Sequence, residues 1–377
     1  MNQSALLYSE SPALALVEPW LRKHLPRMDA AATSRLIQLA AGIFEKRSVL
    51  LETIAESTVF TAEPESNATQ VRRIIRDERI NLECVYYPMI AQLLRDLPGD
   101  LIYLTMDESA HGTDYQLFQV GLATDGVSLP LGFLIYATND AWAEDARDLL
   151  DTLDRYIPDH LQIVLLADRI HTGEPFLTCL DQLGWEFVFR APDDTYVELP
   201  THGWKMLKTI YKRRNTGRFF TNVRVWKGSQ RRANISIYKY ARNGFRTTTW
   251  YVISSLPAAK ERFAEYACRW WQECTFKDLK SALFEWERGR VVSAERVEVL
   301  LIGVSCAIWA MWLLGRLYEH IPRRNAGNTR PQQRRKSILK QGITAFVHAT
   351  KQKQILVLPA VFPPRVLEYE RQFTVPS

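Results

Sequence analysis

No two of the five cysteines, Cys84, Cys179, Cys268, Cys274 and Cys306, stand in a Cys-x-x-Cys spacing. That argues against a zinc clamp or a disulfide framework and makes a reducing compartment the default. No internal repeat is visible. The opening MNQSALLYSESP has neither a basic n-region nor an apolar core, so no signal peptide is expected. Long hydrophobic runs are scarce. The longest uncharged one, Val299 to Gly315, falls just short of a bilayer span and stands alone, and it reads as a buried core helix. The most informative gaps are in charge. From Leu199 to Lys260 there is no Asp or Glu, whereas from Leu101 to Glu198 acids far outnumber the basic Arg147, Arg155, Arg169 and Arg190.

The chain has 377 residues, 47% of them hydrophobic, enough for a sizeable core with one or two smaller domains. A net charge of +6 says little about nucleic acid; its segregation says more. An acidic body beside a basic arm suits metal ions in one place and phosphates in another.

Residues 1–98 read as a helical N-terminal domain, with amphipathic segments at 34–44, 48–57, 68–79 and 85–97. Glu18-Pro19-Trp20-Leu21 is expected to open a further short helix. Arg72, Arg73, Arg76 and Arg79 fall on roughly one side, which fits either DNA contact or a solvated face. The pattern changes at Pro98-Gly99-Asp100. Leu101–Met106, Tyr115–Thr124 and Val127–Tyr136 form a predicted antiparallel meander, with a turn at Asp125-Gly126. A helix over 142–156, capped by Asn139 or Asp140, leads into the apolar strand Leu161–Asp168. A helix over 174–183 and a strand over 184–190 follow. Three strands, helix, strand, helix, strand is the order of a ribonuclease-H-like fold, so the expected class is an α/β mixed sheet flanked by helices. Residues 99–190 make its first part and 256–320 the remainder. Residues 191–255 form a basic, mostly β insertion, with strands expected at 218–225, 234–240 and 248–253 and basic turns at Lys212-Arg213-Arg214 and Arg231-Arg232. Residues 321–377 are a basic tail, either on DNA or loosely ordered.

Two aspartates, Asp107 and Asp168, are expected to end neighbouring strands. A helix over 258–286 carries Tyr266, Arg269, Glu273 and Lys280 on one face at 3.6 residues per turn. Glu273 can then cross the same sheet edge. Three converging carboxylates repel unless divalent cations neutralise them, and two Mg²⁺ ions about 3.5–4 Å apart are the usual solution. Strand-end aspartates are also common turn formers, and Asp114, Asp125, Asp140 and Asp145 are of the same type.

The spacing Tyr266-x-x-Arg269-x-x-x-Glu273-x-x-x-x-x-x-Lys280 resembles the signature of one subgroup of the DDE transposases of bacterial insertion sequences. Leu-Leu-Ala-Asp168-Arg-Ile-His-Thr-Gly resembles that family's second motif, with Ile170 and His171 where Gly-Phe is usual. Met-Asp107-Glu-Ser109 resembles the first, commonly Asp-x-Thr. The likeness covers roughly residues 100–345. It implies an enzyme with Asp107, Asp168 and Glu273 as catalytic metal ligands for Mg²⁺, Mn²⁺ being tolerated. It also implies double-stranded DNA with terminal inverted repeats and a target DNA as partners, a homodimer on DNA, no membrane, and action in the bacterial cytoplasm on the nucleoid. Tyr266, Arg269 and Lys280 would hold phosphates near the cut; Arg213, Arg214, Arg231 and Arg232 would add DNA contacts from the insertion. Trp226, Phe245 and Trp250 are candidates for holding a flipped base, or core residues of the insertion. The alternatives are a catalytically lapsed relative acting as a DNA-binding regulator or inhibitor, and a stand-alone ribonuclease-H-like nuclease.

Overall fold

The computed structural model describes residues 10–111, 115–137, 143–210, 216–240, 248–291, 293–319, 337–359 and 362. Five helices come first: α1 (Pro12–His24), α2 (Ala30–Lys46), α3 (Leu51–Ala55), α4 (Pro64–Ile74) and α5 (Tyr87–Arg95), the last entered through a π-turn at Leu82–Tyr86. Ser11 caps α1 and Pro12 sits in its first turn, so Pro19 lies inside the helix rather than opening it. The arginine stripe expected over 68–79 does not form. Helix α4 stops at Ile74, Arg72 pairs with Glu52, and Arg79 pairs with Asp77 and Asp29.

One ten-stranded sheet carries the rest. Its strands are β1 (Leu101–His111), β2 (Tyr115–Thr124), β3 (Val127–Ala137), β4 (Gln162–Ala167), β5 (Glu186–Arg190), β6 (Tyr196–Leu199), β7 (Gly203–Met206), β8 (Gly217–Val225), β9 (Arg232–Tyr240) and β10 (Thr248–Ser254). The order is β3-β2-β1-β4-β5-β10-β9-β8-β6-β7. β1 and β4, and β4 and β5, pair in parallel; β2 runs antiparallel to β1. This is the ribonuclease-H-like core, a mixed α/β sheet flanked by helices. Strands β6 and β7 were not foreseen, and β10 returns to pair with β5, so the 191–255 stretch extends the core sheet.

Helices α6 (Ala143–Tyr156), α7 (Glu174–Leu183), α8 (Glu261–Ala267), α9 (Trp270–Lys277), α10 (Ala294–Glu319) and α11 (Ile338–Lys351) complete the chain. The expected cap of α6, Asn139 or Asp140, lies outside the described residues, as do Arg213, Arg214 and Phe245. α10 is apolar all round because it is a core helix, packed on α2, α11 and β3. The tail is therefore not wholly loose: α11 packs on α10 through two glycines. A Cβ on Gly342 would lie 2.0 Å from the Met311 carbonyl oxygen, and one on Gly315 2.2 Å from that of Ile338. Lys340 of this helix pairs with Asp278 at 3.1 Å rather than standing free for DNA.

The β2–β3 turn is a two-residue hairpin with both residues at positive φ, Asp125 at 54° and Gly126 at 84°. The buried Asp125 carboxylate accepts from Trp312 Nε1 at 3.2 Å and Arg316 Nη1 at 3.1 Å, tying the hairpin to α10. β3 is an edge strand, which tolerates Pro130. Its outward backbone groups are capped by side chains. Tyr86 Oη and Trp309 Nε1 donate to the Pro130 carbonyl, and the Thr275 hydroxyl both accepts from the Ser128 N–H and donates to its carbonyl.

Candidate active site

Alternation along the strands decides which side chains share a face. Tyr103, Val164, Leu166, Val188 and Val252 pack with Phe263 and Tyr266 in one small core. Their intervening neighbours Ile102, Leu104, Ile163 and Leu165 belong to the large core on the opposite face. Asp107 continues the row Tyr103, Thr105; Asp168 continues Val164, Leu166; Arg190 follows Val188. All three thus belong to the face covered by α8 and α9.

Register aligns them along the sheet as well. The β1–β4 ladder pairs Leu101 with Gln162 through Thr105 with Leu166, and the same offset carried two residues further sets Asp107 opposite Asp168. The β4–β5 ladder ends at Ala167 with Phe189, and one step further sets Asp168 opposite Arg190. Carried just past the ends of both ladders, the register puts two aspartates and an arginine in one row. Asp107 does not end its strand as expected. β1 runs on to His111 against β2, but its parallel ladder with β4 stops at Thr105, which opens the space beside Asp107. Asp168 does follow directly on β4, where Oδ1 accepts from the Arg169 N–H and opens a 3₁₀ turn.

The single helix expected over 258–286 is two helices and a π-turn. α8 lies over β4, β5 and β10; α9 lies over β1, β2 and β3. Between them the backbone tightens, with Trp271 N bonding Cys268 O and Gln272 N bonding Arg269 O, a 3₁₀ pattern. The crossing falls above the β1–β4 boundary and sets Arg269 there. α9 is seated by buried polar contacts: Thr105 Oγ1 donates to Gln272 Oε1 at 3.0 Å, and Thr275 grips Ser128. After Lys277 the turn widens into the π-helix Asp278–Ala282, which carries Lys280.

Arg269 is the centre of the site. Its guanidinium donates to Asp107 Oδ2 at 2.8 Å and to Glu273 Oε1, bridging the two carboxylates with a side chain only 11% exposed. Its Cζ stands 5.9 Å from the Tyr266 ring centre, and that ring meets Trp250 edge to face at 5.5 Å. Burial alone would favour a neutral arginine, but Tyr266, Asp107 and Glu273 outweigh it and hold the charge more firmly than usual. Burial lifts the Asp107 carboxyl above its usual range; Arg269 opposes this, while Glu273 and Asp168 reinforce it. Asp107 therefore feels both of the other acids. Burial also pushes the Tyr266 phenol up to about 12, and Arg269, Asp168 and Arg190 all act on it.

Placements elsewhere match expectation in part. Arg269 faces the carboxylates instead of an open phosphate-binding surface, and Tyr266 is buried beside it. Arg231 is tied down to α7 by Asp181 at 3.0 Å, because the β8–β9 turn folds back on that helix; it is not presented to DNA. Arg232 is exposed and donates to the Asn222 carbonyl. Trp250 packs against Tyr266, and Trp226 is half-buried at positive φ. His171 is buried between Phe118 and Phe176, which pushes its pKa down to about 4. Arg190, Gln272 and Thr275 were missed. Arg190 was legible as the residue ending the strand after Asp168; the other two gave no signal, since polar residues on a helix default to solvent. Beside the site, Trp270 and Ile170 are more than half exposed.

The donor set is all carboxylate oxygen, the chemistry a hard divalent ion takes. Asp107, Asp168 and Glu273 fit such an ion by type and by shared face. Among the described residues no three potential ligands close around one point, and Arg269 lies between two of the three.

A family described as "Transposase DDE domain" matches residues 103–310, more than half of the chain. No curated protein matches it in sequence. Among solved structures, the chain is similar to the piggyBac transposase in its cryo-EM synaptic complex with hairpin DNA. The identity is 12%, with 97% of this chain and 82% of that chain covered and a TM-score of 0.46.

Proposed function

The chain belongs to the transposase DDE domain family, and from that premise we propose that it is a DNA transposase of a bacterial insertion sequence, of the Tyr-Arg-Glu-Lys subgroup. It binds terminal inverted repeats as a homodimer on the nucleoid, hydrolyses a phosphodiester at the transposon end, and joins the resulting 3′-hydroxyl to target DNA. The observation that carries this reading is the row of Asp107 and Asp168 on one sheet face, with Glu273 held over it through Arg269.

Asp107, Asp168 and Glu273 would hold the divalent ions, Mg²⁺ or Mn²⁺. When bound, such ions supply the positive charge that makes water or a 3′-hydroxyl nucleophilic and offsets charge on the leaving oxygen. The protein's own share is placement. The β1–β4 ladder, which ends at Thr105 and Leu166, aims the two strand ends that carry Asp107 and Asp168, and the Thr105–Gln272 and Ser128–Thr275 contacts seat the helix that presents the third carboxylate. Arg190, half-buried in the same row beside Tyr266, and Lys280 beyond Glu273 supply cations for the DNA strand near the cut. Trp270, 60% exposed, offers a flat face to unpaired bases.

The test is to incubate the protein with Mg²⁺ and the genomic DNA flanking its gene, then map 3′ ends. Cleavage at the boundary of a paired inverted repeat is expected, and Asp168→Asn should lose it while remaining folded. No cleavage at any flanking repeat would refute the transposase reading, and undiminished cleavage by Asp168→Asn would refute the carboxylate assignment.

A further inference from the structure

Arg269 is placed unlike a residue waiting for DNA. Its side chain is largely buried, its two terminal nitrogens are spent on Asp107 and Glu273, and its guanidinium carbon stands 5.9 Å from the centre of the Tyr266 ring. Two carboxylates in partial burial need a counter-charge, and among the described residues Arg269 is the cation that forms salt bridges with both. Asp168 makes no salt bridge among the described residues; it accepts from the Arg169 N–H.

We infer that Arg269 is the resident counter-cation of the carboxylate site in the free protein, and that its guanidinium and a divalent ion are alternative occupants of one place between Asp107 and Glu273. This rests on the metal-site reading above. An ion that takes oxygen ligands from both acids must first displace two charge-assisted hydrogen bonds. The free chain therefore binds divalent ions weakly, and affinity rises when Arg269 is drawn off. A DNA phosphate is the partner chemically suited to draw it off, since the same fork of donors matches phosphate oxygens. Loading of the ions is thereby tied to the presence of substrate, and the free protein is kept from collecting them. The site also stays ordered without metal, because the guanidinium holds β1 and α9 together in its absence.

The probe is Mn²⁺ alone, titrated into the full chain without DNA and followed by the electron paramagnetic resonance signal of the free ion. Arg269→Gln and Arg269→Met should bind Mn²⁺ roughly tenfold or more tightly than wild type, a ratio equivalent to about 1.4 kcal/mol. Adding Asp168→Asn to either should remove the gain. Equal affinity in wild type and both Arg269 variants, with binding still lost in Asp168→Asn, would overturn the inference and leave the metal site standing. Binding indifferent to Asp168→Asn in every background would overturn both. If neither Arg269 variant folds, the melting of wild type decides. A melting temperature unmoved by millimolar Mn²⁺ alone but raised by it once flanking-repeat DNA is bound supports the inference; a rise of several degrees without DNA overturns it, and no rise in either state overturns the metal site as well.

Discussion

Replacing Thr275 by Val changes no volume and removes one hydroxyl, yet it should be among the costly single changes near the site. The reason lies in the hairpin. Thr124 and Val127 close a two-residue loop, so they exchange the narrow pair of hydrogen bonds, and the next pair, Ala123 and Ser128, is the non-bonded kind. The N–H and carbonyl of Ser128 therefore point away from β2, off the edge of the sheet, and both are met by the Thr275 hydroxyl, at 2.8 and 3.1 Å. Thr275 and Ser128 are fully buried. Valine leaves the N–H, and in part the carbonyl, dry and unpaired, at a cost of about 2–4 kcal/mol. Serine keeps the hydroxyl and loses one methyl, at about 1 kcal/mol. Urea unfolding followed by tryptophan fluorescence should rank wild type above Thr275→Ser above Thr275→Val. Strand cleavage should fall in the same order, because Thr275 stands two residues beyond Glu273 on the helix it anchors. A valine variant as stable as the serine variant would refute the claim that Thr275 satisfies the edge of β3.

Two further outcomes follow from the packing and from burial. Gly342→Ala must drive its new methyl into the Met311 carbonyl and force α11 off α10, costing roughly 1–3 kcal/mol or more; thermal unfolding that matches wild type would show that the two helices do not meet there. His171 keeps its ring neutral down to about pH 4 when folded, against about 6.5 unfolded. The unfolded chain takes up that proton first. The stabilisation is thus complete above about pH 6.5 and lost as pH falls toward about 4, on the order of 3 kcal/mol in all. His171→Phe should remove that part of the slope, and parallel stability–pH curves for the two proteins would count against it.

The order and type of the core elements were legible because each carries its own periodicity. Apolar runs bounded by turn residues give β1 to β5, the one at β4 nearly unbroken, and α7 begins and ends where its pattern does. Asp168 was readable because a charge directly after a strand buried on both faces has one place to go. Asp107 was harder: the strand continues past it on one side and ends on the other, a distinction that pairing makes and sequence does not. The break between α8 and α9 was invisible, since Cys268, Arg269 and Trp270 all tolerate helix and the tightening comes from crossing the sheet. The same holds for Arg269. Its spacing from Glu273 was plain, but whether a guanidinium points at a neighbour or at a ligand depends on which strand lies beneath it. The fate of Arg231 turned likewise on a distant acid, Asp181, that no local pattern connects to it.

The continuity of the sheet through β5, β10 and β9 has a bearing on how this architecture can be altered. A domain joined by loops can be trimmed away and leave a finished surface behind. Here, cutting out residues 196–254 would strip β5 of β10, its partner on the side away from β4, and lay bare the run Phe187-Val188-Phe189 along an unpaired apolar edge. Such an edge recruits other strands, so a shortened chain should precipitate or self-associate rather than persist as a minimal nuclease. Inheritance and engineering meet the same constraint: the basic arm and the acidic body can diverge residue by residue, but they can be separated only with a replacement strand beside β5.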